Sequence, residues 1–175
     1  VNAPDLPQEF PAIKSLDTQP NNIPIQLTSF VGREKEITEI ISSLNSSHLV
    51  TLTGSGGTGK TRLSLQVGAG ILNRFKDGVW FVELAPITDP ALVPNTVASI
   101  LGVREEPGRP LMTTLMDWFS GRELLILLDN CEHLINACAH LTNKILQAAS
   151  NVRILASSRE ALGIAGEAIY RVPSL

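Results

Sequence analysis

The stretch Leu49-Val50-Thr51-Leu52-Thr53-Gly54-Ser55-Gly56-Gly57-Thr58-Gly59-Lys60-Thr61 decides how this chain folds. Its first five residues are apolar or β-branched and read as a strand. The next eight spell G-x-x-x-x-G-K-T, and Arg62 leads into a run with Leu63, Val67 and Ile71 at four-residue spacing, a helix to about Phe75. Strand, glycine-rich turn and helix, in that order, make an anion cradle. Glycines let the backbone curl so that successive N–H groups point inward, and the helix adds its positive end. Gly54, Ser55, Gly56, Gly57, Thr58 and Gly59 are therefore expected to line a phosphate site, with Arg62 at its rim. Lys60 is placed to reach the β- and γ-phosphates, and the Thr61 hydroxyl to hold Mg2+. The expected ligand is a nucleoside triphosphate or diphosphate.

Composition narrows the rest. With 175 residues, 43% hydrophobic and 18% charged, the chain suits one soluble globular domain with a full core. The net charge is −3 and lysines and arginines do not cluster, so no direct nucleic-acid partner is expected. No apolar run reaches the length of a membrane span, and the proline-rich start is not a signal peptide. Two cysteines, Cys131 and Cys138, make no disulfide framework and fit a cytoplasmic location. They alternate with His133 and His140 in a segment that reads as one helix. Residues seven apart on a helix stand about 10 Å from each other, too far for one tetrahedral zinc ion.

Five of the eleven prolines fall within residues 1–24, which reads as an extended linker or arm preceding a domain at 25–175. The start lacks an initiator methionine and looks like a piece of something longer. Ile37, Ile40, Ile41 and Leu44 mark one face of a helix. Val79 to Val82 is a second strand, and helices are expected at 89–101 and 110–120. A third strand, Leu124 to Asp129, is apolar without interruption, as in a parallel sheet covered on both faces. A helix at about 132–149, a strand at 152–156 and a last strand at 168–172 complete a three-layer α/β fold with a parallel five-stranded sheet.

Asp129, ending the third strand, is expected beside the phosphates as a second Mg2+ group. Glu83 ends strand two, where a solvated loop carboxylate is the simpler reading. Trp80 and Trp118 read as core residues.

Phe30-Val31-Gly32-Arg33-Glu34, Leu127-Leu128-Asp129-Asn130-Cys131-Glu132-His133 and Ser157-Ser158-Arg159-Glu160 together resemble the NB-ARC type of signal-transducing (STAND, AP-ATPase-like) P-loop ATPase found in large bacterial regulators. The resemblance covers about 25–175 and implies the sheet order 5-1-4-3-2. It makes Val31 and Arg33 adenine-site residues and Arg159 the sensor of the γ-phosphate. It also implies ATP/ADP and Mg2+ as cofactors, with Lys60, Asp129, Asn130, Glu132 and Arg159 as catalytic groups. Implied partners are other domains of the same polypeptide and a nucleotide-dependent homo-oligomer. Relatives cover the nucleotide with helical and winged-helix domains that lie outside this chain. Pro4-Asp5-Leu6-Pro7 with Phe10-Pro11 resembles the linker after a class III nucleotide cyclase domain. Many relatives place a second acid directly after the Mg2+ aspartate. Here Asn130 stands there and Glu132 is the available substitute, which implies slow hydrolysis. Read without the resemblance, Arg33 is a surface residue of an amphipathic helix, and Arg159 pairs with Glu160 or a helix carboxylate.

Three functions compete: an ATP-driven switch, a non-hydrolysing nucleotide-binding scaffold, and a small-molecule kinase, for which no second substrate pocket is visible. Adenine is preferred over guanine, because Asn143-Lys144-Ile145-Leu146 lacks the acid of a guanine reader and lies within a helix.

Overall fold

Across residues 19–24 and 33–174, which the computed structural model describes, helices and strands alternate. They run α1 (Glu34–Ser46), β1 (Leu49–Thr53), α2 (Lys60–Gly70), β2 (Val79–Glu83), α3 (Val93–Leu101), α4 (Leu111–Phe119), β3 (Leu125–Asp129), α5 (Ile135–Ala148), β4 (Arg153–Ser158) and β5 (Glu167–Arg171). Short 3-10 turns occupy Leu72–Arg74, Pro90–Leu92 and Glu132–Leu134. The strands pair in the order β2-β3-β4-β1-β5, every pair parallel, which is 5-1-4-3-2 read from the other edge.

Period-two alternation explains how the sheet is buried on both sides. Along β3, Leu125 and Leu127 join one core with Leu63 and Val67 of α2 and Ile40 and Leu44 of α1. Ile126 and Leu128 join the other, with Val97 of α3, Phe119 of α4 and Leu141 and Ile145 of α5. All five residues of β3 are buried, as its unbroken apolar run requires. Trp80 and Trp118 are only partly buried. Trp118 meets Phe119 edge-on at 5.3 Å and carries the Arg122 guanidinium 4.0 Å over its ring.

Two helices differ from the periodicity. The helix after the glycine-rich turn stops at Gly70, and a 3-10 turn replaces its expected last turn; after proline, glycine is the costliest residue to keep helical. The segment from 132 is not one helix either. It begins as a 3-10 turn, breaks at Leu134 (φ −135°, ψ 35°) and only then becomes α5. Cys131 precedes the break, and its thiol lies within hydrogen-bonding reach of Cys138, so the single-helix distance does not apply to this pair. That contact first, and burial second, push the Cys131 thiol well above its usual value. His133 turns away, its Nε2 lying 3.1 and 2.8 Å from the carbonyls of Leu84 and Ile87, and His140 is exposed.

Residues 19–24, within the stretch read as an arm, lie along the outer edge of β2. Asn21 bridges Val79 in parallel, and Val79 N–H donates to the Pro20 carbonyl at 3.1 Å. The Asn22 amide stands in for backbone, donating to Phe81 O at 2.9 Å and accepting from Phe81 N at 2.6 Å. A proline-rich strand lacks ladder donors, so a side-chain amide supplies the pairing.

Candidate nucleotide-binding site

Three strands deliver their C-terminal ends to one place. β1 runs into the loop Gly54–Gly59, β3 ends at Asp129, and β4, between them, ends at Ser157 and Ser158. Ser55, Gly56 and Gly57 form an exposed crest, while Gly54 and Thr58 are buried. Gly59 caps α2 with φ 85° and no side-chain cap bond, a backbone form costly for other residues. The first N–H groups of α2 have no partner within the helix and face the mouth of the loop, where an anion is favoured. Thr58 Oγ1 donates to Ser55 O at 3.1 Å and holds the loop closed.

The Lys60 amine folds back over this loop, donating to the carbonyls of Gly54 (2.8 Å) and Ser55 (3.0 Å). Burial lowers its affinity for a proton. The Arg159 guanidinium pushes the same way, while the Glu132 and Asp129 carboxylates oppose it. The Lys60 amine therefore feels three charged neighbours. Arg159 is exposed, and its Nη2 stands 3.4 Å from where a side chain on Gly56 would begin. Arg62 is exposed on the first turn of α2.

Asp129 is 3% exposed yet fully engaged. The Thr61 hydroxyl lies 2.8 and 3.0 Å from its two oxygens, and the Ser157 hydroxyl donates to Oδ1 at 2.6 Å. Next, Asn130 turns the chain with φ 64°, a left-handed form that asparagine tolerates better than most residues. Its N–H donates to Ser157 Oγ at 3.1 Å, and Cys131 N–H to Ser157 O at 2.9 Å. Asn130 is thus visible as a turn former. Ser157, absent from the residues singled out for the aspartate, organises the whole corner. Only the register of β4 against β3 could have pointed to it, because Leu128 pairs with Ala156.

Glu132 differs. Its Oε1 is buried and, among the described residues, has no hydrogen-bond partner. Such an atom is costly unless something polar meets it. The oxygen donors of Thr61 and Asp129, with an orphaned carboxylate oxygen nearby, suit Mg2+, a hard cation that keeps waters and takes few protein ligands. Among the described residues no group of three or more His, Cys, Asp or Glu side chains converges as a metal cage.

The entry motif is covered in part. Phe30, Val31 and Gly32 lie outside the described residues. Arg33 is 4% exposed, not a surface residue, and its Nη2 donates to Thr58 O at 2.8 Å and Pro173 O at 3.3 Å. Glu83 is exposed. No helix among the described residues is long and apolar enough to cross a membrane.

An uncharacterized protein of Mycobacterium tuberculosis is 42% identical over 149 residues, 85% of this chain and 38% of that protein. A putative HTH-type transcriptional regulator of the same organism is 46% identical over 132 residues, 75% of this chain but 15% of its own length. The chain thus spans well under half of either relative. Among solved structures, Drosophila ORC bound to DNA matches 98% of this chain and 50% of its own, with TM-score 0.63 and 15% identity, a likeness of fold. The model of one family, novel STAND NTPase 1, matches residues 25–164, and this P-loop NTPase chain belongs to it.

Proposed function

We propose that this domain binds adenine nucleotide with Mg2+, hydrolyses ATP slowly, and acts as a nucleotide-dependent switch within a larger regulatory protein. One observation carries the reading. The Lys60 amine, the Thr61–Asp129 pair and the Arg159 guanidinium meet around a single glycine-rich loop at the open ends of β1, β3 and β4.

In this reading the loop N–H groups and the start of α2 hold the phosphates, and Lys60 exchanges its two carbonyl partners for phosphate oxygens. Thr61 and Asp129 would hold Mg2+, which when bound neutralises charge on the β- and γ-phosphates. Glu132 uses its unpartnered oxygen to orient the attacking water. Arg159 meets the γ-phosphate and loses that contact on hydrolysis, which is the switching event. Adenine lies beside Val31 and Arg33. The resemblance to NB-ARC ATPases of bacterial regulators supports this assignment, and so does a relative named as a transcriptional regulator. It further supports a cytoplasmic protein, nucleotide-dependent self-association, and a cyclase-type domain upstream. Any DNA contact of the longer protein is assigned to other domains.

The test is calorimetric titration with Mg·ATP and Mg·ADP, followed by single-turnover hydrolysis. Binding of neither nucleotide overturns the proposal. A second reading, a non-hydrolysing scaffold, draws on Asn130 in the place of an acid. It is favoured if ATP binds but is hydrolysed at the rate of buffer alone, with Glu132→Gln making no difference.

A further inference from the structure

The buried guanidinium of Arg33 joins two parts of the chain that the nucleotide chemistry leaves unconnected. One is the phosphate loop, through Thr58 O; the other is Pro173, in the chain leaving β5. The second contact spans 140 residues of sequence. Arginine suits this place, because Nη2 at the end of its long side chain donates to both carbonyls while Nη1 faces a carboxylate. Glu36 lies 4.0 Å from Nη1 and offsets the buried charge.

The exit segment also touches the other end of the loop. Val172 N–H donates to Thr53 O at 2.8 Å, immediately before Gly54. The Val172 carbonyl lies 3.3 Å from where a side chain on Gly54 would begin, so any side chain there would press on the exit segment. One helical turn on from Glu36, Glu39 of α1 accepts a 2.6 Å hydrogen bond from Tyr170 of β5. Residues 170–173 are therefore fastened to the start of the loop directly, and to its far side through Arg33 at the head of α1.

We propose that Arg33 is a positioning residue that couples the phosphate loop to the chain leaving β5, so that loop closure on an anion is felt at Val172 and Pro173. The coupling gives the switch reading above its route out of the domain, and in that regulatory sense rests on it. A loop that tightens around phosphates moves the Thr58 carbonyl, and the shared guanidinium must either follow it or release Pro173. A residue serving adenine alone would have no reason to bond residue 173.

Amide exchange at Val172 tests this, together with trypsin cleavage after the exposed Arg171. In the nucleotide-free protein, Arg33→Met should speed Val172 exchange about tenfold, the scale of losing a hydrogen bond from a charged donor. Exchange at Leu125 to Leu128 of β3 should stay slow. Unchanged Val172 exchange overturns the coupling. If Arg33→Met loosens β3 as well, Arg33→Lys decides. It keeps the charge, but its amine ends one bond short of the Nη2 that makes both contacts, and a smaller rise at Val172 is expected; no rise overturns the proposal. In wild type, Mg·ADP should slow both readouts. In Arg33→Lys, with ADP raised until binding is equally saturated, that slowing should vanish; equal slowing also overturns the coupling. Should wild type bind no nucleotide by calorimetry, the nucleotide reading fails, and the coupling is judged on the nucleotide-free comparison alone.

Discussion

Two residues separate Asp129 from Glu132, and their carboxylates live in opposite conditions. Asp129, at the end of β3, receives hydroxyl hydrogen bonds from Thr61 and Ser157. Glu132, in the 3-10 turn, keeps a buried oxygen with no partner among the described residues. A carboxylate held by two hydroxyl groups is fixed in place. An unsatisfied one is held ready at a cost, and such costs collect at working sites. In the proposed function the difference separates holding from reacting: Asp129 would order the metal side of the site, and Glu132 would be the group left free to act.

The largest expected effect would break the comparison outright. Lys60→Ala removes the cation that both carboxylates face, and nucleotide affinity should fall by about 100-fold or more, as when one member of a buried charge pair is lost. Far-UV circular dichroism should be unchanged, since Lys60 bonds only its own loop. Calorimetry that found wild-type affinity would mean the loop is not the binding site.

Glu132→Gln sharpens the contrast. Losing a general base costs about 100-fold or more in rate, so single-turnover hydrolysis should drop by that factor while ATP affinity stays within a few-fold. Asp129→Asn should show the reverse emphasis: binding that no longer responds to Mg2+ when titrated with and without the ion. If both variants lose affinity equally and rate equally, the division of labour is wrong.

Much of this was legible in the chain, and the exceptions share a cause. The strand–loop–helix at 49–61 and the buried β3 rest on local patterns, and both stand as read. Ser157 reaches Asp129 across 28 residues, and Arg33 reaches Pro173 across 140. Neither partner leaves a periodic trace, because a buried polar pair is set by register and loop closure. The break at Leu134 was hidden for another reason: a 3-10 turn and an α-helix carry nearly the same apolar spacing over one turn. The docking of residues 19–24 depended on an asparagine side chain imitating backbone, which strand propensity does not register.

Ser157→Ala asks whether Asp129 owes its order to β4. The change leaves Asp129 Oδ1 with one donor fewer and the Asn130 N–H without its acceptor. Stability should fall by about 1–3 kcal/mol in urea unfolding, the cost of leaving buried polar groups unmet. The Mg2+ requirement should weaken with it. A neutral result would place the order of this corner in the backbone alone.

The smallest effect concerns protons. Burial holds Lys60 below its ordinary value of 10.5, so between the two values the unfolded chain binds a proton that the folded chain lacks. Stability therefore rises with pH across that window, and the penalty is fully present at neutral pH. Bound phosphates reverse the sign by favouring the charged amine. Nucleotide binding in that alkaline window should take up a proton, and affinity should weaken as pH climbs. Calorimetry in buffers of different ionisation enthalpy reads the uptake directly. Proton release instead, or no exchange at any alkaline pH, would show that Lys60 does not meet the phosphates.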